Sequence, residues 1–173
     1  KAIRRQRQMC IRDSSTIDLE ETIKTNFLGT HAVIKELLPH SLTENAKIIN
    51  ITVPVSQEYW MPLAYVTSKA AQNAMTFAFG HQFKKDKSKK QIFAVMPGAV
   101  ATDLNGTKVG DSPFVKSPEE TAQMISKFIF DDKNHNAQII NFDGTIYDNY
   151  EPGLRNKVIK DVAKNGLKRK FKK

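Results

Sequence analysis

Tyr65 and Lys69 stand four residues apart in the run Ala64-Tyr65-Val66-Thr67-Ser68-Lys69-Ala70-Ala71. At 3.6 residues per turn this spacing stacks the two side chains on one helical face and sets an ammonium beside a phenol. An unperturbed phenol loses its proton at about pH 10, and an adjacent positive charge favours the phenolate and pulls that value down. A tyrosine so placed is a general acid or base for a carbonyl or an alcohol. The spacing is common in helices, so a simple surface pair stays open until the neighbouring elements are read.

The pair lies at the start of a long helical stretch, Pro62 to about Lys85, with alanines near its beginning and Met75, Phe79 and Phe83 on one stripe. Upstream, Leu19, Ile23, Phe27, Leu28, His31, Ile34 and Leu38 recur at helical spacing over 18–38, with Ser15 and Thr16 as caps and Pro39 as terminator. Asn26 and Gly29 lie inside that helix, where both residue types are unfavourable and need a reason. The stretch 47–53 is short and β-branched on both parities, the pattern of a strand buried on both faces. A loop over 55–62 joins it to the Tyr65 helix. Residues 91–96 read as a second such strand, stopped by Pro97-Gly98, and a loop rich in Gly and Pro runs over 99–116. Ser117-Pro118-Glu119-Glu120 starts a helix to about Phe130; 137–142 is a third strand turned by Asp143-Gly144, and a weak last helix covers 154–163. Helix and strand in alternation mean βαβ units and a parallel sheet, an α/β fold.

The formal net charge of +9 is confined to the ends. Residues 1–14 and 165–173 hold ten of the 27 basic residues and one of the 18 acidic ones, so the body over 15–164 is neutral. The tail over 165–173 reads as a fraying basic end, and Lys84–Lys90 as a solvated helix end rather than a nucleic-acid patch. No nucleic-acid partner is expected, since aromatic residues do not interleave with the basic ends. The single Cys10 excludes an intramolecular disulfide, the four histidines show no metal spacing, and no apolar run reaches the length of about 18 residues that a membrane helix needs. A cytoplasmic protein without metal or membrane partner is expected. Met9-Cys10-Ile11-Arg12-Asp13-Ser14 resembles the translation of a sequencing-library adapter, so residues 1–14 are set aside as non-native and a native part is expected upstream.

Four motifs together resemble the short-chain dehydrogenase/reductase family over roughly 17–145: Asn26-Phe27-Leu28-Gly29, Ile48-Ile49-Asn50-Ile51-Thr52, the Tyr65–Lys69 run, and Pro97-Gly98-Ala99-Val100-Ala101-Thr102-Asp103-Leu104. The resemblance implies a partial Rossmann-type doubly wound parallel sheet, the C-terminal portion with about three strands and flanking helices. It implies NADP or NAD as cofactor and a small carbonyl or alcohol substrate. Tyr65 would be the catalytic acid/base. Lys69 would lower the tyrosine pKa and hold the nicotinamide ribose, and Asn26 would hold a water linking Lys69 to solvent. Pro97, Gly98, Val100 and Thr102 would line the nicotinamide. Thr52 falls where the family carries a catalytic serine, with Ser56 as the alternative. The family's glycine-rich phosphate turn has no counterpart in the sequence and would lie upstream of residue 15, so the chain by itself is expected to be inactive and aggregation-prone. Homodimers or homotetramers through the Asn26 and Tyr65 helices are a family-level expectation. A non-catalytic structural or regulatory protein of the same family is the other reading, and Thr52-Val53-Pro54 is its best support.

Overall fold

In the strand Gln91–Met96 (β2) every residue from Ile92 onward is buried. Consecutive strand side chains point to opposite faces, so an uninterrupted buried run means a sheet covered on both sides. The structure, a computed structural model, describes residues 16–40, 43–53, 62–103, 106–112 and 114–147. Strand Lys47–Ile51 (β1) pairs parallel to β2 along one edge, with Ile49 opposite Phe93. Strand Ile139–Asn141 (β3) pairs parallel along the other, with Val95 opposite Ile140. The sheet order is β1-β2-β3.

Helix Thr16–Ile23 (α1), a π-helical turn Lys24–Gly29 and helix Thr30–His40 (α2) form one continuous arm, since Ile23 and Thr30 at the junctions keep right-handed helical dihedrals. Helix Leu63–Lys85 (α3) connects β1 to β2, and helix Pro118–Phe130 (α4) connects β2 to β3. Ile34 of α2 and Met75 and Phe83 of α3 pack with Ile92 and Ile48 on one face. Ile125 and Phe128 of α4 pack with Phe93, Val95, Ile140 and Ile49 on the other. Helices on both faces of a parallel sheet make the α/β architecture expected from the alternation, doubly wound as the family resemblance implies. Each fully buried side chain of this size contributes about 1.5–3 kcal/mol, and that burial, rather than helix propensity, holds the layers together.

Local signals explain several boundaries. The Ser117 hydroxyl accepts from the Glu120 amide at 3.1 Å, and Pro118 occupies the first turn of α4. Gly80 permits a close approach of chain: a Cβ there would lie 2.6 Å from that of Ala137, and the Asn136 side-chain amide donates to the Gly80 carbonyl at 2.8 Å.

Other boundaries moved. The ladder of β1 stops at Ile51 rather than Val53, although the Thr52 amide still donates to the Val95 carbonyl at 2.9 Å. β3 is shorter than 137–142 because Ala137 sits at φ 59° and a turn at Asp143-Gly144 folds Ile146 back against Ile140. Pro39 does not terminate the first helix; it lies inside α2, which runs to His40. The expected helix over 154–163, both chain ends, and the loop with Ser56 lie outside the described residues. Among the described residues no helix is long and apolar enough to cross a membrane.

Candidate active site

α3 runs antiparallel to the strands: Phe83 packs at the start of β2, Thr76 bonds Asn50 in mid-β1, and Lys69 reaches the end of β1. Its first turns therefore bring Tyr65 and Lys69 to the carboxyl ends of the strands, where open α/β sheets bind ligands. The Lys69 ammonium lies 5.9 Å from the centre of the Tyr65 ring, so the two side chains share one face as their spacing requires. It donates to the Ile51 carbonyl at 2.7 Å and to the Gln72 Oε1 at 3.1 Å.

The electrostatics differ from the expectation. Burial pushes the Tyr65 phenol above its ordinary value and the Lys69 ammonium below its own. Desolvation of the phenolate sets the direction of the Tyr65 shift, while the Lys69 ammonium is turned toward the Ile51 carbonyl and Gln72. Tyr65 as a whole residue remains 36 % exposed.

Asn26 lies in the π-helical turn, which answers why an asparagine interrupts an amphipathic helix: single π-turns are common where a side chain is re-aimed at a functional site. Its amide donates to the Ser68 hydroxyl at 3.0 Å, and Ser68 donates to the Tyr65 carbonyl at 2.7 Å. The Asn26 carbonyl accepts from the Thr30 hydroxyl at 2.8 Å, and Thr30 accepts from the Gln72 amide at 3.2 Å. Sequence reasoning missed Ser68, Gln72, Thr76 and Thr30. The signal was present: Ser68, Gln72 and Thr76 recur every four residues as a polar stripe on a helix that packs against the sheet, and all three are buried.

Thr52 continues the row of Ile48 and Asn50 toward α3. It is 1 % exposed and its hydroxyl has no hydrogen-bond partner among the described residues. An orphaned buried hydroxyl costs about 1–3 kcal/mol, a cost that a ligand oxygen reaching it would relieve. At the end of β2, Gly98 turns at φ 74°, and a Cβ there would lie 2.9 Å from the Lys116 ammonium. Lys116 is 9 % exposed and places that ammonium 3.9 Å over the Phe142 ring. Val100 bridges Lys116 in parallel, with the Lys116 amide donating to Ala99 and the Ala101 amide to Lys116. Pro97 is half-buried and Thr102 exposed beside them. Tyr65, Lys69, Thr52, Pro97, Gly98, Val100 and Thr102 thus gather at one end of the sheet. Asn26 joins them through Ser68. An exposed backbone turn, an orphaned hydroxyl and a fixed ammonium fit the nicotinamide-ribose half of a dinucleotide.

A family model described as short chain dehydrogenase matches residues 5–112. The chain belongs to the short-chain dehydrogenase family. It is 33% identical to the fatty acyl-CoA reductase of Acinetobacter baylyi over 62% of this chain and 37% of that protein. It is 25% identical to carbonyl reductase [NADPH] 1 of Rattus norvegicus over 62% of this chain and 52% of that protein. Among solved structures it superposes on an NADPH-bound carbonyl reductase from chicken fatty liver with TM-score 0.69 at 22% identity, over 82% of this chain and 61% of that one. The chain therefore spans less than two thirds of each of these relatives.

Proposed function

We propose that the protein carrying this chain interconverts a carbonyl and an alcohol with NADP or NAD, and that Tyr65 is the general acid/base. The observation that carries this reading is the Tyr65–Lys69 pair at the carboxyl end of β1, with the ammonium fixed by the Ile51 carbonyl. The nicotinamide, when bound, supplies or accepts the hydride. Tyr65, whose phenol burial pushes above its ordinary value, donates its proton to the carbonyl oxygen. Lys69 keeps an ammonium N–H available for a ribose hydroxyl. Thr52 offers its unpartnered hydroxyl to orient the substrate oxygen. Gly98, Val100 and Thr102, with Pro97, form the wall on the nicotinamide side, and Asn26 supports the Tyr65 turn through Ser68.

Relatives named as reductases of carbonyl and fatty acyl-CoA compounds support a carbonyl substrate class. No described residues offer a glycine-rich turn for the dinucleotide phosphates, and on this reading the chain on its own binds cofactor weakly. The reading extends to self-association. An apolar groove of about 590 Å³ between the first helical arm and α3, lined by Phe27, His31, Ala71, Ala74, Met75 and Phe79, suits a second copy.

The test replaces Tyr65 with Phe in the protein carrying this chain and assays it with NADPH and NADH against a carbonyl panel. Turnover is expected to drop by about 10²–10⁴-fold with an unchanged circular dichroism spectrum. Wild-type protein without hydride transfer to any carbonyl would favour the non-catalytic reading.

A further inference from the structure

Gln72 occupies a buried position on the sheet-facing side of α3, 5 % exposed, where an apolar side chain would pack without polar partners to find. Instead both ends of its amide are bonded, Oε1 to the Lys69 ammonium and Nε2 to the Thr30 hydroxyl. The orientation of the amide follows from chemistry, because an ammonium has no lone pair and must face the oxygen. The Thr30 oxygen, accepting from Gln72, directs its own proton to the Asn26 carbonyl. Every donation therefore runs the same way: Lys69 to Gln72, Gln72 to Thr30, Thr30 to the π-helical turn. Hydrogen bonds aligned head to tail polarise and strengthen one another in a low-dielectric interior.

We propose that Gln72 is a positioning residue for Lys69, coupling its ammonium to the π-helical turn that carries Asn26. This rests on the reading of Tyr65 and Lys69 as the reacting pair. An ammonium has three protons. The Ile51 carbonyl takes one and Gln72 a second, so the direction of the third is fixed by the first two. That third N–H is the one left for a ligand hydroxyl. Without Gln72 only the Ile51 carbonyl restrains the ammonium, and the whole head group can pivot about that single hydrogen bond. Among the described residues, the ionisable side chain in contact with Lys69 is Tyr65 of its own helix. β1 presents the Ile51 carbonyl and the first helical arm presents Thr30 through Gln72, neither of which titrates.

The experiment compares wild type with Gln72→Met, which keeps the volume and removes the amide, and with Gln72→Glu and Thr30→Val. Lysine ammonium NMR on the protein carrying this chain reads Lys69 directly and needs no turnover. In Gln72→Met the Lys69 ammonium is expected to exchange faster with water and to titrate about one pH unit lower than in wild type. In Gln72→Glu it titrates higher, and in Thr30→Val it moves in the direction of Gln72→Met by a smaller amount. In turnover, Gln72→Met raises the KM for cofactor about tenfold with kcat within about threefold, and Gln72→Glu restores the KM. A Lys69 signal in Gln72→Met that titrates and exchanges as in wild type overturns the proposal. Should that variant not fold, an unchanged Lys69 in both Gln72→Glu and Thr30→Val overturns it equally. If Lys69 responds as expected while wild type reduces no carbonyl, the positioning role stands and the reductase reading falls.

Discussion

At Tyr65 burial sets the direction of the shift. A lysine one helical turn away favours the phenolate most when it also donates to the oxygen, and here Lys69 gives two donors to Ile51 and Gln72. Desolvation then holds the phenol above its ordinary value. On the proposed role of Tyr65 the protonated form is the acid, and carbonyl reduction is then expected to hold through neutral pH. It should fall only as pH rises past about 10, while alcohol oxidation rises over the same range. A pH–rate profile breaking near neutrality instead would mean that the phenol is acidified in the working protein. Gly98 is the second residue whose local physics sets the site. Its φ of 74° is costly for any side chain, whereas the 2.9 Å approach to Lys116 involves the far end of a flexible chain. Gly98→Ala should therefore destabilise the fold by about 1–2 kcal/mol in urea denaturation, and Lys116→Met in the same background should not recover the loss.

At the scale of elements, the two ends of the strands divide their labour. The carboxyl ends gather Tyr65, Lys69 and Thr52, and the amino ends carry a cluster that ties α4 to β1. Lys47 donates to the Phe128 and Asp131 carbonyls at the end of α4 and to the Asp131 carboxylate at 3.2 Å. His135 meets the same carboxylate at 2.8 Å. The hydrogen bond from His135 is the largest influence on the Asp131 carboxyl; desolvation opposes it, and the contacts with Lys47 add to it, so that the carboxyl lies below its usual range. A carboxyl lowered in the fold contributes stability that is fully present above its unfolded value of about 3.9 and is lost as pH falls through the lowered one. Asp131→Asn should accordingly melt a few degrees lower at pH 7 and show a shallower loss of melting temperature in acid than wild type. Equal slopes in thermal melts between pH 2 and 5 would remove Asp131 from that account.

For the whole molecule, the face between the first helical arm and α3 is built from small and apolar side chains that the sheet does not cover. Ala74 is exposed within it. Close helix approach depends on small residues, so a carboxylate in the centre of such a contact is unfavourable on both sides. If copies associate through this groove, Ala74→Glu is expected to shift light-scattering mass to that of a single copy without lowering the melting temperature of the protomer. An unchanged mass in a protein that self-associates would place the contact elsewhere.

The α/β class, the parallel order of the elements and the start of α4 were legible in the sequence because they rest on local regularities. These are a helical period, β-branched runs apolar on both parities, and a serine-proline-acid start. The same holds for the Tyr65–Lys69 spacing and for the turn at Pro97-Gly98, whose residue types announce themselves. The π-helical turn could not be read that way, since an amphipathic period looks the same through one widened turn. Only the packing of the first helical arm on α3 showed that Asn26 meets Ser68 and that Thr30 meets Gln72, 42 residues further along the chain. The direction of the Tyr65 shift was likewise a tertiary decision. Spacing placed a charge near the phenol, but which oxygens that charge serves, and how much water the phenol keeps, depend on how α3 lies against the end of β1.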